Sequence, residues 1–160
     1  ILGPLCNPAG VDRQLMGIFE GSLTDKVAKV LQKLGSKHAM VVHGYEGLDE
    51  ISTTASTKIS HLKEDKSIES SAISPSDFGI EKATLDDLKG GEPEENAFII
   101  KNILNGTDKG KKADIVILNA AAGIFVGGKA ENWEDGIQMA REAVNSGAAR
   151  EKLNKLVSVK

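Results

Sequence analysis

The sequence predicts an α/β domain in which a mainly parallel sheet is flanked by helices and extended by short edge strands. The first indication is a succession of strand, helix and buried strand, RQLMGIF, TDKVAKVLQKL and HAMVVHG. Such a unit joins two parallel strands. The second indication is a Ser-, Thr- and Lys-rich stretch over residues 52–76, whose short alternating pieces favour edge or antiparallel strands. The whole chain, residues 1–160, is predicted to form one domain.

The first unit can be justified residue by residue. The segment from Arg13 to Phe19 alternates weakly between apolar and polar and is bounded by glycines, which indicates a strand. Either Thr24 or Ser22 can cap the helix that follows, and Gly35 ends it. The apolar stripe of this helix consists of Leu23, Val27, Val30, Leu31 and Leu34.

The second half of the chain carries helix signals. Thr84 can cap TLDDL, and Pro93 opens a helix that ends at Gly106. The run ADIVILNAAAGIFVGG is apolar nearly all round, and its alanines argue against a strand. We therefore expect a helix over residues 115–127 that is buried on nearly all sides. A last helix is predicted from its cap Asn132 to the stop at Gly147.

Composition excludes several classes of function. The formal net charge is −3, and nothing in that balance attracts nucleic acid or an anionic membrane. Phe, Trp and Tyr are too few for a base-stacking platform. The longest apolar stretch is shorter than the roughly 20 residues that span a bilayer. The single cysteine, Cys6, excludes an internal disulfide and fits a reducing, cytoplasmic environment.

Two adjacent acids, Asp49 and Glu50, follow the buried strand in VVHGYEGLDEIS. Neighbouring side chains of a strand point to opposite faces, so both acids serve one site only if the backbone turns first. Gly44 and Gly47 make such a turn easy. Two carboxylates beyond the carboxyl end of a strand suit Mg²⁺ that is shared with substrate phosphates and water. An exposed acidic turn is the alternative.

A second candidate site lies in LGPLCNPAG at the start of the chain. Gly3 allows another molecule to approach the backbone, and Pro4 offers a rigid apolar ring. Together they could form the floor of a site for a flat, apolar ligand, and an ordinary tight loop is the alternative. Cys6 is expected to be a small buried residue rather than a reactive thiol.

The histidines give no metal-binding pattern. His38, His43 and His61 do not share the spacing of metal ligands. His43 could support the acid pair as an outer group, or simply end a strand. The sequence contains neither a P-loop nor a GxGxxG fingerprint. It opens without an initiator methionine, so we expect a part of a longer protein, with processing of a precursor as the alternative.

Taken together, these motifs resemble the C-terminal part of the large α/β domain of anthranilate phosphoribosyltransferase. The resemblance rests on ILGPLCNPAG, QLMGIF, VVHGYEGLDEIS, SPSDFGI and LNAAAGIFVGGKAENWEDGIQMAREAVNSGAAREKL, which together cover essentially the whole chain. It implies the fold of the nucleoside phosphorylase and phosphoribosyltransferase C-terminal type. It also implies an enzyme of tryptophan biosynthesis that transfers the phosphoribosyl group of phosphoribosyl diphosphate to anthranilate and releases diphosphate.

The same resemblance assigns roles to residues. It implies that Asp49 and Glu50 bind Mg²⁺ and that Gly3 and Pro4 line the anthranilate site. The family commonly has Thr where this chain has Cys6, and a thiol is the weaker hydrogen-bonding group. The family's glycine-rich phosphoribosyl-diphosphate loop, its substrate-clamping arginine and its helical dimerisation domain belong to the preceding part. We therefore expect the 160 residues alone to be inactive and the full-length protein to be a homodimer.

Two other functions remain open from the sequence. A related group of the same fold resembles nucleic-acid-binding modules, which should carry a basic stripe that this chain lacks. Pyrimidine nucleoside phosphorylases share the architecture, but they are not expected to combine the LGPL loop with the Asp-Glu turn. The sequence favours the phosphoribosyltransferase over both.

Overall fold

The computed structural model of the protein describes residues 2–159, which form an α/β fold around a four-stranded sheet. The strands are β1 (Arg13–Gly17), β2 (His38–Gly44), β3 (Thr57–Leu62) and β4 (Ile68–Ile73), and their order in the sheet follows the chain. β1 and β2 are parallel, whereas β2–β3 and β3–β4 are antiparallel. The predicted α/β class is confirmed, but a mainly parallel sheet is not, because the hairpin of β3 and β4 continues the sheet without a crossover helix.

The described residues also form seven α-helices. They are α1 (Leu2–Leu5), α2 (Thr24–Lys33), α3 (Leu85–Leu88), α4 (Pro93–Leu104), α5 (Lys111–Val126), α6 (Trp133–Asn145) and α7 (Ala148–Ser158). Of these, α2 and α5 pack on the sheet. Sequence patterns did not predict α1, a single turn, or α7, which buries no residue. None of the helices in residues 2–159 has the length and apolarity to cross a membrane.

The sheet separates two hydrophobic cores because β2 is buried on both faces. Ala39 and Val41 point into one core, together with Leu31 of α2. Met40 and Val42 point into the other, with Leu118 of α5. The alternation of side chains along one strand thus places α2 on one face of the sheet and α5 on the other.

Helix α5 has one buried face rather than burial on nearly all sides, so that prediction was wrong. Its buried residues are Ala113, Ile117, Leu118, Ala121, Ala122 and Val126. Val116 is exposed, and Ile124 is only half-buried. The buried face follows the helical period toward the sheet and α6, which leaves the apolar residues between these positions on the outer face.

The helix caps agree only in part with the predictions. Neither Thr24 nor Ser22 caps α2; instead the Glu20 side chain accepts from the Ser22 N–H and begins a short 3₁₀ turn before α2. Thr84 caps α3 as predicted, and Asn132 caps α6 by accepting from the Asp135 N–H at 2.8 Å. Both confirmed caps are the oxygen-bearing side chains that helix N-termini favour.

Candidate functional site

Two loops leave the sheet side by side at the carboxyl ends of the parallel strands. β1 ends at Gly17 and β2 at Gly44. Because both strands run in the same direction, the loops over residues 18–23 and 45–51 begin at the same edge. Ligands of α/β sheets usually bind at such an edge.

The second loop turns as the sequence predicts. The N–H of Gly44 donates to the carbonyl of Leu48 at 2.8 Å, and the N–H of Gly47 donates to the carbonyl of Gly44 at 2.8 Å. Gly47 has a φ of 107°, which L side chains rarely adopt. The turn therefore releases the chain from strand alternation before it reaches Asp49 and Glu50.

The backbone of the acidic loop lies directly against β1. A Cβ added to Gly17 would lie 1.4 Å from the carbonyl oxygen of Asp49. No side chain fits at that distance, so only glycine at this position permits the approach. Sequence patterns did not indicate this contact, because the two residues are far apart along the chain.

Two of the four acids in these two loops turn back onto the protein. Glu20 caps the 3₁₀ turn, and the Glu46 carboxylate accepts from the hydroxyls of Ser52 and Thr54. Asp49 and Glu50 are different, because both are exposed and neither side chain takes part in a hydrogen bond or ion pair within residues 2–159. The second loop thus leaves a pair of exposed carboxylates open to an external ligand.

Basic and polar groups hold the first loop. The Lys58 Nζ donates to the carbonyl of Gly21 at 3.1 Å and pairs with Asp25 of α2 at 2.9 Å. Hydrogen bonds from the Ser70 hydroxyl and from Lys58 lower the pKa of Asp25 to about 2. This carboxylate therefore stays ionised and joins α2 to the hairpin rather than serving the acid pair.

His43 belongs to the same edge but faces the first loop. Its Nδ1 lies 2.8 Å from the carbonyl oxygen of Ile18, and since a carbonyl only accepts, Nδ1 carries the proton and donates. The ring also packs against Gly21, where a Cβ would lie 2.8 Å from its Cδ2. His43 thus fixes the loop after β1, and its ring makes no hydrogen bond to Asp49 or Glu50 within the described residues.

The acid pair suits a metal that is shared with a substrate rather than one enclosed by the protein. No group of three or more His, Cys, Asp or Glu side chains in residues 2–159 could hold an ion. Mg²⁺ keeps several waters and is commonly bound through one or two carboxylates together with substrate phosphates. Asp49 and Glu50 fit that donor set, with open space around them.

Gly3 and Pro4 lie at the opposite edge of the sheet from the acid pair. A cleft beside Pro4 is lined by Asp12, which precedes β1, and by Ser36, which precedes β2. Gly3 is exposed, and a Cβ there would meet nothing within 4 Å. Its backbone is open to an approaching molecule, as expected, but the structure does not bring it together with Asp49. A substrate-binding role for this segment stays a prediction.

Cys6 is exposed, so the expectation of a buried cysteine was wrong. The single-turn helix α1 packs on the first core through Leu5 alone, which leaves the next residue outside. The thiol has room to react, yet nothing in the site uses it.

Asn119 of α5 is a residue of the candidate site that sequence patterns missed. Its side-chain amide binds both backbone groups of Ile51, the residue that follows the acid pair. The signal that could have found it was a lone amide within an apolar helix, where polar side chains are unusual unless they have a partner. The partner itself lies 68 residues away and could not be inferred.

Comparison with known proteins decides the family. Residues 1–150 match the model described as glycosyl transferase family, a/b domain. The chain belongs to this glycosyl transferase family. Its curated relatives include the anthranilate phosphoribosyltransferases of Petrotoga mobilis and Methanocorpusculum labreanum, each 48% identical over 98% of this chain and 45% of the relative. The chain thus spans about half the length of the relatives it matches.

Solved structures of glycosyl transferases from this family agree. The anthranilate phosphoribosyltransferase of Thermus thermophilus is 38% identical with a TM-score of 0.88, over 98% of this chain and 46% of that chain. The Saccharomyces cerevisiae enzyme in complex with PRPP and Mg is 30% identical with a TM-score of 0.85, over 96% of this chain and 44% of that chain. The same yeast enzyme in complex with 4-fluoroanthranilate also has a TM-score of 0.85 at 30% identity, over 96% of this chain and 45% of that chain. The resemblance to anthranilate phosphoribosyltransferase is therefore confirmed.

Proposed function

We propose that this chain supplies the metal-binding half of the catalytic site of an anthranilate phosphoribosyltransferase. The reaction transfers the phosphoribosyl group of phosphoribosyl diphosphate to the amino group of anthranilate, giving N-(5-phosphoribosyl)anthranilate and diphosphate in tryptophan biosynthesis. The observation that carries the proposal is the acid pair, which the fold presents at the carboxyl edge of the sheet. Relatives solved with PRPP and Mg support the choice of metal.

The chemistry of the pair follows from its charges. Asp49 and Glu50 are close in the chain and repel each other when both are ionised. A divalent cation between them reverses the sign of that interaction. When bound, Mg²⁺ would neutralise the charge that develops on the departing diphosphate. The two carboxylates hold the cation, and the fixed loop keeps them at one place on the sheet edge.

Other parts of the proposal rest mainly on the family. Gly3 and Pro4 line the anthranilate site, and the open backbone at Gly3 supports such an approach. The complete protein is a homodimer through an N-terminal helical domain outside this chain. Anthranilate and phosphoribosyl diphosphate are its partners, with no nucleic acid and no membrane surface among them.

The proposal is tested by the double variant Asp49→Asn, Glu50→Gln in the full-length protein. The change preserves side-chain shape and removes both charges. We expect turnover to fall by about 10²-fold or more, since an electrostatic contribution of several kcal/mol is lost. The measurement is the rate of product formation as a function of Mg²⁺ concentration, with a melting curve for each protein.

A matched control removes two charges elsewhere. Glu94 and Glu95 are also adjacent and exposed, and they lie in the first turn of α4. Glu94→Gln, Glu95→Gln should leave the rate and its Mg²⁺ dependence unchanged, and should cost only about 0.3–1 kcal/mol per charge through the helix dipole. If the Asp49, Glu50 variant keeps the parent rate and Mg²⁺ dependence, the pair is an exposed turn and the proposal is wrong.

A further inference from the structure

Asn119 uses its amide on the loop that carries the acid pair. Its Oδ1 accepts from the N–H of Ile51 at 2.9 Å, and its Nδ2 donates to the carbonyl of Ile51 at 2.8 Å. The second Nδ2 hydrogen goes to the carbonyl of Ile115 in the preceding helical turn at 2.9 Å. A flipped amide would oppose donor to donor and acceptor to acceptor, so the three partners fix its orientation.

The bonds matter because Ile51 lies outside the sheet ladder and is buried. Its exposed fraction is 1%, and neither β2 nor β3 includes it. A buried backbone N–H or carbonyl without a partner costs about 1–3 kcal/mol. Asn119 satisfies both groups of Ile51 at once, as a neighbouring strand would.

Asp49 and Glu50 therefore lie between two fixed points. On one side, the bond from Gly44 to the carbonyl of Leu48 closes the turn. On the other side, Asn119 holds Ile51. We propose that Asn119 is a positioning residue for the acid pair, setting from α5 the direction in which both carboxylates leave the sheet edge. Its consequence for metal binding rests on the proposed function of the pair.

The first test measures the loop without any metal. In Asn119→Ala, we expect the Ile51 amide hydrogen to exchange about tenfold faster or more relative to the Val41 amide of β2, since its acceptor is lost. Asn132→Ala is the matched control: it removes an asparagine side-chain bond in the same helical layer, at the cap of α6. The control should leave the ratio of the two exchange rates unchanged.

The second test adds Mn²⁺, a paramagnetic substitute for Mg²⁺, together with diphosphate, because the proposed site shares its cation with substrate phosphates. In the parent chain, Mn²⁺ should broaden the amide signals of Asp49 and Glu50 first. In Asn119→Ala, about tenfold more Mn²⁺ should be needed for the same broadening, the scale found when groups that orient metal ligands are removed. Asn132→Ala should titrate like the parent.

The outcomes separate the two proposals. An unchanged exchange ratio in Asn119→Ala overturns the positioning role. Faster exchange with unchanged Mn²⁺ broadening also overturns it, because Asn119 would then only close the loop. If the parent shows no selective broadening at the pair, the proposed metal site fails, and the exchange ratio still decides whether Asn119 fixes the loop. Should Asn119→Ala fail to fold, Asn119→Leu, which has a similar side-chain volume but neither donor nor acceptor, replaces it in both measurements.

Discussion

Gly17 matters because it has no side chain, and the backbone of the acidic loop fills the space that a side chain would take. Because the carbonyl of Asp49 occupies the position of a Cβ, any larger residue must push the loop away or shift β1. Gly123, on the exposed side of α5, is the opposite case, since a Cβ there would meet nothing within 4 Å. The same substitution should therefore have opposite signs at these two positions.

We predict that Gly17→Ala lowers the free energy of unfolding by about 1–3 kcal/mol, as expected of overpacking against backbone. Gly123→Ala should raise it by about 0.5–1 kcal/mol, because alanine is the better helix former. Urea unfolding of both variants beside the parent measures the two values. Equal effects of the two substitutions would show that the loop does not rest on Gly17.

At the scale of single residues, the sequence predicted part of the candidate site. Gly44 and Gly47 were identified as the turn because glycine has a local conformational meaning. Gly17 and Asn119 were not, because their role depends on residues brought close only by the sheet and α5. Local signals identify what a residue can do, and tertiary contacts decide what it does.

At the scale of elements, two histidines join the strands to the end of α5. His38 and His61 lie on neighbouring antiparallel strands, and their Nε2 atoms are 2.7 Å apart. The Arg13 guanidinium, which can only donate, faces the Nδ1 of His38 at 3.3 Å and also donates to the carbonyl of Val126 at 2.9 Å. His38 Nδ1 is then an acceptor, His38 Nε2 donates, and His61 Nε2 accepts, so both rings are neutral.

A proton on either ring breaks this arrangement. The added N–H would point at another N–H, either between the Nε2 atoms of the two histidines or between His38 Nδ1 and the Arg13 guanidinium. Burial, followed by neighbouring positive charges, lowers the pKa of His38 and lowers that of His61 to about 4. The groups facing the pair are Arg13, Glu64, Lys63 and Glu69, and the ring of Phe125 contacts both histidines edge-on.

We predict that stability falls as the pH drops from 6.5 to about 4. In this pH range the two histidines bind protons in the unfolded chain but stay neutral in the folded one. Protonation therefore lowers the free energy of unfolding, by about 1–3 kcal/mol in total. Well above pH 6.5 both states leave the pair neutral, and this contribution to the pH dependence ends. The measurement is the melting temperature of the parent and of His61→Phe, which keeps a ring but cannot titrate.

The two variants to compare differ in how they respond to pH. His61→Phe should flatten the loss of melting temperature between pH 6.5 and 4. Asn132→Ala removes a helix cap and no titratable group, so its curve should lie below that of the parent by a constant amount. If the ring signals of His38 and His61 in the folded parent protein titrate at or above pH 6.5, the neutral pair is contradicted.

At the scale of the whole molecule, the proposed function gives this chain only one side of a reaction site. We predict that the purified 160-residue chain alone does not form N-(5-phosphoribosyl)anthranilate. Holding both substrates in place can supply about 7–11 kcal/mol of such a barrier, and the resemblance puts much of that machinery in the preceding half. The check is the fluorescence change of product formation, with the full-length protein as the positive control. A signal well above background from the chain alone would refute this.

Sequence-based expectation and structure also differ at this scale. Periodicity and caps predicted both parallel strands, α2 and the helices from α3 to α6, since each is encoded locally. Edge or antiparallel strands were expected over residues 52–76, and β3 and β4 confirm them. A sheet in which antiparallel pairs outnumber the parallel pair was not predicted, because strand pairing is decided by contacts that form only in the fold. For the same reason, the motif at Gly3 and Pro4 and the motif at Asp49 could be recognised separately, but not placed at opposite edges.

The bond between Ile51 and Asn119 also has a consequence for synthesis on the ribosome. The two residues are 68 positions apart, and translation at roughly 5–20 residues per second needs about 3–14 s to add them. Throughout that interval the nascent chain already contains Asp49 and Glu50, but α5 does not yet exist to hold the loop. The acidic loop is thus made early and fixed late, after the strands on both sides of it have been synthesised.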